Sequence, residues 1–197
     1  VDANGERTMF PDNGANADLE PTDLPSLDDI DGVYLSGYAL LDFRSRDAVL
    51  EMIKKIKAAG KPIFFDPTTT GAMKIVSREE VLSWVAMMDG ILLNSEEALY
   101  LGNATDVVTA EENLAQHTPL VVIKLGSKGA MAVNGSEKAK VSAVTTNVVD
   151  TTGAGDSFAA GFIPKWLETS DLTQALSAGA ALAAKCVSSV GARPPLN

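Results

Sequence analysis

The chain has 197 residues, 46% hydrophobic and 21% charged, with 16 Lys and Arg against 26 Asp and Glu for a formal charge of −10. That is the balance of an ordinary globular protein long enough to bury a sizeable core. The acidic surplus argues against a nucleic-acid or anionic-membrane partner, since either needs a clustered positive face, and no apolar run reaches the length of a membrane span. One cysteine, Cys186, excludes an internal disulfide and a cysteine-rich zinc site and fits a reducing, cytoplasmic compartment. One histidine, His117, speaks against Ser-His-Asp or multi-histidine metal chemistry. The sequence opens on Val1 in mid-pattern, so we expect part of a longer chain.

Residues 1–16 read as strand, turn and strand, with Asn4-Gly5 as the hairpin signal and Pro11, Asn13 and Gly14 as the stop. A lone hairpin strand is not stable, so its partners are expected upstream. Leu19 to Asp31 is a polar connector with an acidic turn. Strands and helices then alternate. Val33 to Leu35 is a short strand, and Asp47 to Ala59 a helix with Val49, Leu50, Ile53 and Ile56 on one face. The basic cluster Lys54, Lys55 and Lys57 lies on that helix. Ile63 to Phe65 is a strand running into Asp66-Pro67-Thr68. Ser77-Arg78-Glu79-Glu80 is a capping box that predicts a helix through Met88. Ile91 to Leu93 is a strand and Asn94 to Leu101 a short helix. Thr109-Ala110-Glu111-Glu112 is a second capping box, opening a helix to about His117. Leu120 to Leu125 is a strongly apolar strand, joined through Gly126-Ser127-Lys128-Gly129 to a strand over Ala130 to Val133. Lys138 to Val144 reads as extended. Helices over Gly155 to Glu168 and Leu172 to Val190 close the chain, and Pro164 predicts a kink or early break in the first.

Short βα units imply a mostly parallel sheet covered by helices on both faces, with ligands beyond the carboxyl ends of its strands. Asp66, Asn94, Gly126 and Asp150 follow strands and are the first candidates. The most informative stretch is Asp150-Thr151-Thr152-Gly153-Ala154-Gly155-Asp156-Ser157-Phe158. A Gly-Ala-Gly turn feeding a helix points unpaired N–H groups at one spot and builds an anion hole. Asp156 stands beside it as a candidate base, the pairing a phosphoryl transfer needs. Taken alone, the same residues could merely turn the chain and cap a helix. The third glycine is Gly161, too late for a dinucleotide fingerprint, and no G-x-x-x-x-G-K-[ST] loop occurs.

The nine-residue string closely resembles the C-terminal signature of the ribokinase-like carbohydrate kinases, the PfkB family. Asn94-Ser95-Glu96-Glu97 resembles that family's N-x-x-E motif, and Val122 to Ala130 its nucleotide-binding strand and glycine loop. Gly14-Ala15-Asn16 resembles the exit from its β-lid, and Val190 to Pro194 the loop after its last core helix. The resemblance implies a three-layer α/β/α fold with a mostly parallel central sheet and part of a small β-lid. Residues 1–16 would be lid, and 17–197 the C-terminal part of the core. It implies transfer of the γ-phosphoryl of ATP to a hydroxymethyl group of a sugar, with a nucleoside kinase or a non-catalytic binding protein as alternatives. Asp156 would be the catalytic base and Gly153, Ala154 and Gly155 the anion hole. Asn94, Lys124, Gly126, Ser127, Lys128, Gly129 and Gly179 would lie along ATP. Asn94 and Glu97 would act on Mg²⁺ through water, although Asn94-x-x-Glu97 is equally a capping box. Asp150, Thr152, Cys186, Ser189 and Gly191 would surround a monovalent cation, K⁺ in many members. The family's lid implies a homodimer contact.

The sequence also departs from that pattern. Lys124 replaces a small hydroxyl residue and could be a solvated edge-strand lysine. Gly179 replaces an asparagine near the adenine. Asp66 to Thr70 lacks an Asn-x-Arg, and Asp66 reads either as part of the metal shell or as an ordinary Asp-Pro turn. The N-terminal sugar-binding glycine pair has no counterpart in the sequence.

Overall fold

The computed structural model describes residues 14–195. The hairpin expected before Gly14 lies outside them. Gly14–Asp18, expected as the lid exit, is a short 3₁₀ turn. The chain then runs through β1 (Val33–Ser36), α1 (Tyr38–Leu41), α2 (Arg46–Ala58), β2 (Ile63–Asp66), α3 (Thr70–Met73), α4 (Arg78–Val85) and β3 (Gly90–Asn94). It continues through α5 (Ser95–Leu101), α6 (Val107–Leu114), β4 (Leu120–Lys124), β5 (Ala130–Asn134), β6 (Glu137–Val141), α7 (Ala154–Thr169) and α8 (Leu172–Val187).

The six strands form one sheet in sequence order, parallel from β1 to β4 and antiparallel from β4 to β6. Strand alternation sorts the side chains into two cores. Phe65, Ile91, Leu93, Val121 and Ile123 point to one face, where α2, α4, α5 and α6 cover them with Ile53, Trp84, Leu101 and Leu114. Phe64, Leu92 and Val122 point to the other, under Phe158 and Phe162 of α7 and Leu172 and Leu176 of α8. This is the expected three-layer arrangement. Among the described residues, no helix is long and apolar enough to cross a membrane.

Several ends differ from expectation for local reasons. The α6 cap is Asp106, whose carboxylate accepts from the N–H groups of Val108 and Thr109 and from the Thr109 hydroxyl. Thr109 is therefore already engaged and lies inside the helix. Ser77 does cap α4, accepting from the Glu80 N–H at 3.1 Å. The Glu80 carboxylate turns instead to Arg46 at 2.9 Å, whose guanidinium lies over Trp84. The four-residue helices α1 and α3 were not foreseen. Pro164 does not break α7, which runs five residues beyond it. Pro164 and Ala160 are both exposed, so the carbonyl that loses its N–H partner can be hydrated. Finally, α8 stops at Val187, whose carbonyl accepts from the N–H groups of Val149 and Asp150.

Phe162 is fully buried and stacks between Phe158 and Trp166, with centroids 6.0 and 6.4 Å apart. Phe162→Ala should destabilise the protein at its full natural length by about 3–5 kcal/mol. Urea denaturation should show a lower midpoint with an unchanged slope.

Candidate active site

The sheet places the strand-end residues before any loop does. Tyr34, Ser36, Asp66, Asn94 and Lys124 share the parity of Phe64, Leu92 and Val122, so they face α7 and α8. Ser36 pairs in register with Asp66, and Asn94 with Lys124. The result is a polar row along the carboxyl ends of four parallel strands, where a ligand is expected in such a sheet. Asn94 leaves the row to cap α5. Its side-chain oxygen accepts from the Glu97 N–H at 2.9 Å, while Glu97 accepts from both the Asn94 backbone N–H and its amide. The capping-box reading is therefore real.

The entrance to α7 meets this row from above. Gly153 caps the helix with φ +74°, a left-handed conformation that suits glycine. A Cβ there would also lie 2.1 Å from the Ala192 carbonyl oxygen. With no side chain to cap α7, the N–H groups of Gly155 and Asp156 have no partner among the described residues. The anion hole was expected from Gly153, Ala154 and Gly155, but the Ala154 N–H already donates to the Thr151 carbonyl, so the unpartnered donors lie one position further on, and the exposed Asp156 stands in the same turn.

The electrostatics link these parts. The Tyr34 hydroxyl donates to Asp156 Oδ1 at 3.4 Å. Burial, reinforced by the charges of Asp66 and Asp156, pushes the Tyr34 phenol well above its usual range, so it stays a neutral donor. Lys124 is no edge-strand lysine. Its strand is flanked by β3 and β5, and its ammonium sits 2.9 Å from Asp66 Oδ2, both side chains being 15% exposed. Asp66 Oδ1 accepts from the Thr68 N–H at 3.0 Å. Glu97 is buried, and burial pushes its carboxyl up to about 7 against the lowering effect of the Asn94 N–H.

These groups line one cavity of about 740 Å³, together with Gly126, Ser127, Gly129, Gly153, Ala154 and Gly155. Two residues expected along ATP do not line this cavity. Lys128 is not part of the lining, and Gly179 lies in the seam between α7 and α8, where a Cβ would be 3.0 Å from the Phe158 ring. Ala180, Ala183, Ala184 and Val187 form the α8 wall instead. The five candidate cation ligands are joined by one hydrogen-bond network. Asp150 accepts from the Thr152 N–H and hydroxyl through one oxygen and from the Gly191 N–H, at 3.1 Å, through the other. The Cys186 thiol donates to the Thr152 carbonyl, and the Ser189 N–H to the Cys186 carbonyl. The Tyr34–Asp156 contact and the Asp66–Lys124 pair were not foreseen; only the strand register brings them to light.

Asp66, Asn94 and Glu97 are oxygen donors of the kind Mg²⁺ takes. The Glu97 oxygens and the Asn94 amide are already occupied by each other, which fits an outer-sphere contact through water and not direct ligation. Among the described residues there is no ready-made cluster of three acidic, His or Cys ligands.

The Glu97 shift carries a sign. Unfolded, this carboxyl titrates near 4.5; folded, it holds its proton up to about 7. Its contribution to stability is therefore fully present below about pH 4.5 and lost as the pH rises through about 7. Glu97→Gln mimics the protonated acid, so its stability relative to the wild type should rise between about pH 5 and about pH 8. Denaturation without metal or nucleotide at both pH values is the check, and a constant difference would contradict the raised pKa.

The pfkB family of carbohydrate kinases matches the chain over residues 1–197. An uncharacterised sugar kinase of Archaeoglobus fulgidus is 31% identical over 199 residues, covering 100% of this chain and 77% of that protein. Against seven further curated relatives the chain spans only 52% to 58% of their length. The adenosine kinase of Sinorhizobium meliloti superposes with a TM-score of 0.83 at 30% identity, over 91% of this chain and 56% of that one. The fructokinase of Vibrio cholerae O395, solved with fructose, ADP and calcium, gives a TM-score of 0.78 at 25% identity over 88% of this chain and 60% of that one. With the Asp150–Phe158 string seated at the carboxyl edge of a mostly parallel sheet, the chain belongs to the pfkB family of carbohydrate kinases.

Proposed function

We propose that these residues carry the nucleotide and catalytic part of a kinase that moves the γ-phosphoryl of ATP to a hydroxymethyl group of a sugar. The observation that carries this reading is the seating of Asp156 beside the uncapped start of α7, at the carboxyl edge of the sheet. The acceptor oxygen attacks the γ-phosphorus, the bond to the β–γ bridging oxygen breaks, and ADP leaves with that electron pair. Asp156 takes the acceptor's hydroxyl proton. The N–H groups of Gly155 and Asp156 steady the charge on the moving phosphoryl, with Gly153 and Ala154 holding the turn that exposes them.

The glycine loop from Gly126 to Gly129 and the small residues of α8 leave room for the body of the nucleotide. Asp66, Asn94 and Glu97 would hold Mg²⁺ through water, where it neutralises phosphate charge. Asp150, Thr152, Cys186, Ser189 and Gly191 would be the surroundings of K⁺. A nucleoside acceptor is the second reading, supported by the likeness to the Sinorhizobium adenosine kinase. A panel of sugars and nucleosides offered to the protein at its full natural length separates the two. A non-catalytic binding role gains nothing from this site, which keeps its carboxylate at the anion hole.

Asp156→Asn should lower turnover by a factor on the order of 10³ or more while ATP binding changes little. Steady-state kinetics beside calorimetric ATP binding measure both. Normal turnover by this variant would remove Asp156 from the base role.

A further inference from the structure

Asp66, Glu97 and Asp156 line the cavity, and among the described residues Lys124 is its only basic side chain. An anionic nucleotide entering a space with three carboxylates needs positive charge delivered close to its phosphates. The Lys124 side chain ends in the right place. A Cβ built on Gly155 would lie 3.3 Å from the Lys124 Nζ, so the ammonium rests against the first turn of α7. It therefore lies beside the turn whose Gly155 and Asp156 N–H groups have no partner among the described residues.

That position is electrostatically odd for a structural ion pair. The start of a helix carries partial positive charge, which disfavours a cation there unless an anion joins it. Asp66 supplies part of that compensation at 2.9 Å. A second anion would turn a mismatch into a favourable cluster of one ammonium and two N–H groups.

We propose that Lys124 is a catalytic residue, one that contacts the non-bridging oxygens of the phosphoryl group during its transfer. The proposal rests on the kinase reading above and moves Lys124 from the body of the nucleotide to the group in flight. Asp66 holds the ammonium until the phosphates arrive. The lysine exchanges no proton: the bond to the β–γ bridging oxygen breaks, the bond to the acceptor oxygen forms, and Asp156 receives the acceptor's proton. Lys124 contributes charge that is met most strongly when the phosphoryl is planar and midway. Gly155 is part of the same device, because a side chain there would press on the ammonium.

The test uses the protein at its full natural length with Mg²⁺, and two ligands: ADP, and ADP with aluminium fluoride, which mimics the planar phosphoryl. In Lys124→Met, ADP affinity should stay within about threefold, while affinity for ADP–aluminium fluoride and kcat should each fall about a hundredfold. Lys124→Arg keeps the charge and should recover at least about a tenth of the wild-type kcat. Thermal unfolding shows whether each variant is folded, and Lys124→Arg alone decides the matter if Lys124→Met is not. Equal weakening of ADP and ADP–aluminium fluoride would make Lys124 a nucleotide contact and overturn the proposal. No weakening of either would make it a structural ion pair, with the same consequence. A wild type that phosphorylates no acceptor and binds both ligands alike would overturn the kinase reading itself.

Discussion

The close crossing of α7 and α8 sets the height at which everything else in the site operates. A Cβ on Gly161 would lie 2.5 Å from the Ala178 carbonyl oxygen, so the two helices meet backbone to backbone. A few residues away, Gly179 admits the Phe158 ring. Phe158, Phe162 and Leu176 are pressed onto Phe64, Leu92 and Val122 of the sheet by that approach. The first turn of α7 consequently comes down far enough for Asp156 to reach the Tyr34 hydroxyl, and for Gly155 to reach the Lys124 ammonium. A packing requirement deep in the core thus fixes the spacing of polar groups at the rim.

Those polar groups form an acidic site in an acidic protein, and their order is what makes it workable. Tyr34 stays neutral between Asp66 and Asp156, so it separates two carboxylates without adding charge. Lys124 offsets Asp66, and burial, with a smaller push from the Asp66 charge, lets Glu97 hold its proton to about 7. The formal charge of −10 argues against an extended basic surface but does not bear on so local an arrangement. Helix N–H groups and a single ammonium act over a few ångströms, a range at which net charge matters little.

Much of this was legible in the sequence where the signal was local. Apolar runs such as Leu120 to Ile123 gave buried strands, and Val49, Ile53 and Ile56 gave the face of α2. The glycine turn before Asp156 announced an uncapped helix because its chemistry lies within a few consecutive residues. Features that depend on register were hidden. Tyr34 and Lys124 lie 90 residues apart in sequence, and only strand pairing puts them on one face of the sheet. That Gly179 lies in the α7–α8 seam, not in the cavity wall, is likewise invisible in the sequence, since position alone does not distinguish the two. At α6, Thr109 satisfied the capping pattern, but Asp106 stood three residues earlier with an oxygen already suited to both N–H groups. The early break expected as one outcome at Pro164 does not occur, and the solvent exposure that lets the helix run on was not visible in the sequence.

The contact between Gly153 and Ala192 also limits how such a sequence can drift. The obstacle to a side chain at 153 is a carbonyl oxygen, which every residue type at 192 would present in the same place. The left-handed backbone at 153 adds a second, independent penalty. No single replacement at the facing position can therefore rescue a change there, and compensation would have to move the backbone of the whole closing loop. Positions without a compensating partner are the ones that stay fixed while their surroundings diverge. Gly153 is such a position, held by its own backbone and by a carbonyl that no side-chain change can remove.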